Sequence, residues 1–192
     1  MHGTGRSQMS CPVRRADVRR TDPYAALVTM WRIRPAERDD VPAIHTLIEE
    51  LALYEREPQA VEATPDDLAA ALFAPDPRVH ALVALVGEGE EVAGVAVWFV
   101  TYSTWRGRHG IWLEDLFVRP AHRRLGLGRA LLAALAGACA ERGYRRLEWA
   151  VLDWNEPAHA FYRELGALPQ DDWTTWRLTG SALSELGGAG QV

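Results

Sequence analysis

Residues 111–129 read IWLEDLFVRPAHRRLGLGR, and this stretch decides the fold. Its first part, Ile111–Val118, is a short apolar run that predicts a buried strand carrying two adjacent acids. A loop follows, and Gly126 then opens a helical pattern that continues to about residue 142. A strand, a glycine-bearing loop and a helix start in this order predict a place where an anionic ligand meets bare backbone.

The hydrophobic period, followed outward from this stretch, predicts an alternation of strands and helices. Further helices are expected to open near Asp39 and Asp40, at Thr64-Pro65 and at Asn155, and a turn is expected at residues 87–90. This order predicts a mixed α/β fold, a central mixed sheet with helices on both faces. The remaining strands are expected at 31–34, 80–86, 91–101, 146–152 and 173–178.

Length and composition favour one domain in the cytoplasm. The chain has 192 residues, of which 48% are apolar, enough to bury one sizeable core. Residues 1–29 lack periodicity and are expected to form a disordered extension, 30–186 the domain, and 187–192 a flexible tail. The sequence contains no run of ~20 apolar residues and no signal-peptide pattern, so we expect a soluble protein. Two cysteines, Cys11 and Cys139, suit a reducing compartment.

The charges exclude several functions and favour a cationic ligand. All 21 basic residues are arginine, which excludes a P-loop lysine and a Schiff-base lysine. From residue 31 onward, the sequence contains 16 arginines and 24 acidic residues, so this part carries a net negative charge. We therefore expect neither a nucleic-acid nor a membrane partner, and an acidic globule is a plausible host for a small cation. The six histidines show no ligand spacing, so no metal is expected.

The glycine-bearing loop predicts a pyrophosphate site. Gly126 and Gly128 lack β-carbons, and the first-turn amides of the helix that they open are anion donors. Arg123, Arg124 and Arg129 add charge for phosphate oxygens. Solvated arginines on a glycine loop are the simpler alternative.

A dinucleotide fingerprint is the competing motif. Gly126-Leu127-Gly128 begins one, and Glu148 lies where a ribose-binding acid is expected. Leu131 replaces the third glycine, however, and the loop after Val118 is too long for a tight turn. A nicotinamide-binding oxidoreductase therefore ranks below a pyrophosphate site of another kind.

These residues carry a resemblance to a known family. Arg-x-x-Gly-x-Gly after Leu-Glu-Asp-Leu-Phe-Val resembles the acetyl-CoA site of the GNAT superfamily of N-acetyltransferases. The Glu-Asp pair and Trp154-Asn155-Glu156-Pro157 are similar to the diamine (spermidine/spermine) acetyltransferases, and the similarity covers nearly all of residues 31–178. The resemblance implies the GNAT (acyl-CoA N-acyltransferase) fold, acetyl-CoA as co-substrate, a small polyamine-like acceptor and a homodimer.

The resemblance also implies which residues form the site. Tyr162 matches the general acid, and a phenol, whose pKa in water is near 10, holds a proton for a leaving thiolate. Glu114 is expected to act as base and to bind the amine. Alternation puts Glu114 and Asp115 on opposite faces of a regular strand, so both can reach one cleft only across a β-bulge. The residues expected to bind the cofactor are Leu116, Phe117, Val118, Arg123, Arg124, Leu125, Gly126, Leu127, Gly128, Arg129 and Asn155.

The expected amine pocket combines aromatic rings with carboxylates, which suits an ammonium group. For each tryptophan core packing is the simpler explanation, as is a helix cap for Asn155. Alternative acceptors are thialysine, another amino acid or an antibiotic amine, and a non-catalytic CoA-binding module is the alternative outside enzymes. The residues expected in the pocket are Tyr54, Glu55, Trp105, Glu114, Asp115, Asp153 and Trp154.

Overall fold

A computed structural model describes residues 31–188, so the expected extension 1–29 lies outside it, as do residues 189–192 of the expected tail. The chain divides into two compact units at Ala150 and Val151. The first unit contains a five-stranded sheet with the order β1-β2-β3-β4-β5, in which all neighbours are antiparallel except the parallel pair β4–β5. These strands are β1 (Trp31–Pro35), β2 (His80–Val86), β3 (Glu91–Ser103), β4 (Arg108–Val118) and β5 (Leu147–Trp149).

Three helices of the first unit lie close to their predicted positions. They are α1 (Val41–Tyr54), α2 (Pro65–Leu72) and α3 (Leu127–Arg142). Thr64 caps α2, because its side chain accepts a hydrogen bond from the Asp67 backbone N–H at 3.2 Å. A 3-10 turn at Arg38–Asp40 leads into α1, which explains why the sequence pattern placed the helix start near Asp39.

The helices α1 and α3 cover opposite faces of the sheet. Ile44 and Leu47 of α1 pack with Val97 of β3 in the main apolar cluster. Trp98, the next residue of β3, points to the opposite face, where its ring lies 5.7 Å from the Arg142 guanidinium of α3. The predicted mixed sheet with helices on both faces is confirmed.

The second unit contains the helices α4 (Glu156–Glu164) and α5 (Gly180–Gly188). The strand predicted at residues 173–178 is wrong, because this segment has no regular structure. Its aromatic and β-branched residues suit a strand, yet the described part of the second unit has no strand to pair with it. A strand without a partner leaves its backbone groups unpaired. The prediction for β5 was also too long by four residues.

Candidate active site

The pairing between β3 and β4 slips by one residue at the two acids. Val97 lies opposite Asp115, whereas the next residue, Trp98, lies opposite Leu113. Glu114 is therefore an extra residue in β4, and it forms a β-bulge. The β-bulge that allows Glu114 and Asp115 to reach the same side of the sheet is therefore present.

The bulge brings both acids to the face of the sheet that α1 covers. Residues directly opposite each other share a face, so Asp115 lies on the same face as Val97. Leu113 lies with Trp98 on the other face, and by alternation its neighbour Glu114 points to the α1 face. Without the extra residue, Asp115 would have followed Leu113 to the α3 face.

Two carboxylates, Glu114 and Glu55, act on a third, Asp115. Asp115 is half-buried, and burial, reinforced by the charges of Glu114 and Glu55, raises its pKa to about 6. Glu55 ends α1 as its C-cap residue, and burial raises the pKa of its carboxyl group. Both charged groups that raise the pKa of Asp115 are carboxylates, so a cation placed among them would be favoured electrostatically.

Trp112 contacts the bulged glutamate. Its indole Nε1 donates a hydrogen bond to Oε2 of Glu114 at 2.8 Å. Sequence reasoning did not single out Trp112. The signal was nevertheless there, because Trp112 lies two residues before Glu114 in a strand and so shares its face.

Arg123 joins the loop after β4 to the end of α1. Its guanidinium carbon lies 5.0 Å from the ring centroid of Tyr54 and 5.7 Å from that of Phe117. Its Nε also donates to the Val118 carbonyl oxygen at 3.0 Å. Because Nε is used in this backbone bond, a phosphate would be bound by the two terminal nitrogens of the guanidinium. The expected pairing of Arg123 with a pyrophosphate stays a prediction.

The loop before α3 fits a phosphate group. Arg124 and Gly126 both have left-handed backbones, with φ angles of +66° and +86°. A β-carbon added at Gly126 would meet nothing within 4 Å, so the approach to its backbone is open. Gly126 is the N-cap residue of α3 and supplies no capping side chain, so the amides of the first turn are available to an anion.

One edge of β4 is open beyond the bulge. The parallel pairing with β5 covers Ile111, Trp112 and Leu113 and ends there. Among the described residues of the first unit, no strand pairs with Leu116–Val118 on that edge. An extended ligand can add to such an edge as a further strand would.

The second unit carries the expected acid and the expected amide. Asn155 is 8% exposed and caps α4, since its side-chain oxygen accepts from the Ala158 N–H at 3.4 Å. The cap interpretation of Asn155 is thus confirmed, and its cofactor contact stays a prediction. Tyr162 lies in α4, half-buried, with its ring centroid 5.3 Å from that of Phe161.

The other expected pocket residues lie in loops. Asp153 and Trp154 immediately precede the cap of α4, and Trp154 is 41% exposed. Trp105 lies in the turn between β3 and β4 and is 88% exposed. Thus only Tyr54, Glu55 and the two acids of β4 are brought together by the first unit.

Comparison with known proteins identifies the family. Residues 43–167 match the Acetyltransferase (GNAT) family, and the chain belongs to it. The chain is 38% identical to a thialysine N-epsilon-acetyltransferase of Bos taurus over 165 residues, covering 81% of this chain and 96% of that protein. It is 32% identical to a spermidine/spermine N(1)-acetyltransferase-like protein of Homo sapiens, covering 77% of this chain and 22% of that one.

A solved structure has the same fold. An integron cassette protein from the mobile metagenome of V. cholerae superposes with a TM-score of 0.68 at 24% identity, covering 82% of this chain and 97% of that chain. The protein is therefore an acetyl-CoA-dependent N-acetyltransferase of GNAT type that acts on an amine.

Two further observations concern metals and membranes. Across residues 31–188, no three His, Cys, Asp or Glu side chains are grouped so as to hold a metal ion. No helix in the same part of the chain is long and apolar enough to span a bilayer.

Proposed function

We propose that this acetyltransferase acetylates a primary amine of a small, polyamine-like cation, which attacks acetyl-CoA directly in a ternary complex. The observation that carries the proposal is the group of Asp115, Glu114 and Glu55. Burial and two like charges raise the pKa of Asp115, so the site favours a ligand that brings positive charge. A polyamine keeps further ammonium groups after one amine has reacted, and several carboxylates suit such a ligand.

Acetyl-CoA, when bound, supplies the acetyl thioester. Leu116, Phe117 and Val118 would hold its pantetheine arm through the open edge of β4. Residues 123–129 would hold the pyrophosphate, with Gly126 giving access to the amides at the start of α3. Asn155 would add a side-chain contact while it caps α4.

Glu114 would prepare the amine. A primary ammonium in water has a pKa near 10.4 and must lose a proton before it can attack a thioester. A carboxylate binds the ammonium as an acceptor and takes that proton directly or through water. Asp115 and Glu55 would hold the remainder of the cation, with Tyr54, Trp105, Asp153 and Trp154 shaping the pocket.

Tyr162 would complete the transfer as the general acid. The thiolate that leaves must be protonated, and a phenol is a suitable donor at neutral pH. The ammonium would lose two protons in all: the first passes to Glu114 before the attack, and the second leaves the nitrogen as the amide forms and restores the Tyr162 phenol, which has given its own proton to the thiolate. The new amide bond forms as the thioester bond breaks.

An amino acid such as thialysine is the second candidate acceptor. The relative of Bos taurus is named for that substrate and covers most of this chain. A zwitterionic acceptor also carries a carboxylate, and Arg123 would supply the positive charge that binds it. The guanidinium of Arg123 lies over the ring of Tyr54, the residue that precedes Glu55 in the chain.

An acceptor screen tests the proposal. Release of the CoA thiol is measured with spermidine, putrescine and thialysine as acceptors, each over a range of concentrations. We expect the highest kcat/KM with a polyamine. A preference for thialysine of tenfold or more would transfer the assignment to amino acids. Binding of acetyl-CoA in calorimetry without CoA release with any amine would indicate a non-catalytic module.

We also propose that the protein works as a homodimer in the cytoplasm. The second unit exposes large apolar side chains, among them Trp176 (90% exposed), Leu183 (55%) and Leu186 (68%), and apolar surface of this kind is typical of interfaces. Cys139 is a free, buried thiol, which suits a reducing compartment. Light scattering after size exclusion gives the mass directly, and a monomer at micromolar concentration would contradict the dimer.

A further inference from the structure

We infer that Trp112 is a positioning residue of the acetyl transfer, which holds the Glu114 carboxylate in place for the acceptor amine. The inference rests on the proposed function, because it acts through Glu114. It is carried by the hydrogen bond from the indole Nε1 to Glu114 Oε2, at 2.8 Å.

The backbone of Trp112 is paired with neighbouring strands on both sides, whereas that of Glu114 is not. Trp112 lies opposite Phe99 of β3 on one side and opposite Glu148 of β5 on the other. Glu114 has no partner of its own in β3, since it is the bulged residue, and it follows the last residue of β4 that pairs with β5. Trp112 therefore holds its rigid side chain at a position paired on both sides, whereas Glu114 carries a flexible side chain at a bulge that neither β3 nor β5 pairs directly.

The geometry leaves one oxygen of the carboxylate for the amine. The indole is a donor only, so it cannot take the amine proton, and the bond to Trp112 engages Oε2. A carboxylate oxygen can accept from more than one donor, and Oε1 has no part in this bond. The indole thus orients Glu114 without competing for the proton that Glu114 is to receive.

The acid that lies opposite Trp112 in β5 is engaged with another residue. Glu148, which lies opposite Trp112, forms an ion pair with Arg146 at 2.6 Å. The bond between Trp112 and Glu114 joins a neutral donor to a charged acceptor, and such bonds are roughly twice as strong as neutral ones. Holding the carboxylate before the amine arrives avoids the loss of side-chain entropy on binding.

The test is a double-mutant cycle between Trp112→Phe and Glu114→Ala, with spermidine as the amine. The expected result for Trp112→Phe is an amine KM raised about 3- to 10-fold, within the usual net worth of an intramolecular hydrogen bond, with the KM for acetyl-CoA unchanged. In the Glu114→Ala background the same change should add less than about twofold, because the acceptor of the indole hydrogen bond is already gone.

Two further variants serve as controls. Trp31→Phe removes an indole from the start of β1, where the side chain is also half-buried, and should leave both KM values unchanged. Trp112→Tyr keeps a ring and restores a donor, so it should recover part of the loss. Melting temperatures of all variants show that each is folded.

The outcomes separate this inference from the proposed function. An unchanged amine KM in Trp112→Phe, or the same penalty in both backgrounds, would overturn the positioning role and leave Glu114 in the mechanism. Wild-type kinetics in Glu114→Ala would remove Glu114 itself from the mechanism, and the inference with it. The inference is supported if the amine KM rises in both single variants and the rise in the double variant is smaller than the product of the two.

Discussion

Asp115 of β4 lies directly opposite Val97 of β3, so its carboxylate shares a face of the sheet with the apolar cluster beneath α1. A β-bulge at Glu114 causes this placement. The position is unfavourable for an ionised acid, so the stability of the fold should depend on the protonation of Asp115.

The first prediction follows from the pKa of Asp115. Its folded value of about 6 lies above the ordinary aspartate value of 3.8, so the folded state binds the proton more tightly. The bound proton therefore adds to the free energy of unfolding. This contribution has its full size below about pH 4 and is lost as the pH rises through 6. Asp115→Asn should therefore stabilise the fold by about 1–3 kcal/mol at pH 8 and not at pH 4.

Thermal melts of Asp115→Asn and wild type at pH 4, 6 and 8 measure this difference. Asp76→Asn is the control, since Asp76 is exposed and forms an ion pair with the exposed Arg78 at 3.3 Å. It should show no such dependence on pH. A constant offset between Asp115→Asn and wild type at all three pH values would contradict the prediction.

The second prediction concerns the cofactor loop. Gly128 is the second residue of α3, and a β-branched side chain there would occupy the approach to the first-turn amides. Gly128→Val should therefore abolish acetyl-CoA binding in calorimetry while the protein still folds. Gly137→Val is the matched control in the same helix, where an added β-carbon meets nothing within 4 Å. Equal affinity of both variants for acetyl-CoA would refute the pyrophosphate assignment.

The third prediction concerns Tyr162. Replacing it by Phe removes one hydroxyl group and keeps the ring next to Phe161, so the fold and acetyl-CoA affinity should be preserved. Turnover should fall by roughly 10²–10⁴, the usual contribution of a positioned acid, and should not recover at high pH. Tyr102→Phe, on β3 at 55% exposure, is the control and should turn over normally. Normal turnover in Tyr162→Phe would exclude it as the acid.

The fourth prediction concerns Glu114. Glu114→Gln replaces an acceptor-only carboxylate by a neutral amide, so amine affinity should fall. Turnover should fall too, and raising the pH from 6 to 10 should recover part of it, because free amine then becomes available without a base. Rate profiles with both substrates varied measure this. A variant with unchanged amine KM and unchanged kcat would show that Glu114 is not involved.

The sequence by itself determined the elements whose signals are local. Thr64, followed by proline and acids, fixed the start of α2, and Gly126 fixed the start of α3, because caps and φ preferences depend on a few neighbouring residues. The same local motif, together with the Glu114–Asp115 pair, was enough to recognise the family.

Only the tertiary structure decided what depends on partners. A strand forms where another strand accepts its hydrogen bonds, so residues 173–178 stayed irregular in spite of their composition. The position of the bulge depends on how β3 and β4 align, and that alignment put Asp115 on the α1 face. Arg123 reached the ring of Tyr54 because α1 and the loop after β4 meet in space, although the two residues are far apart in the chain.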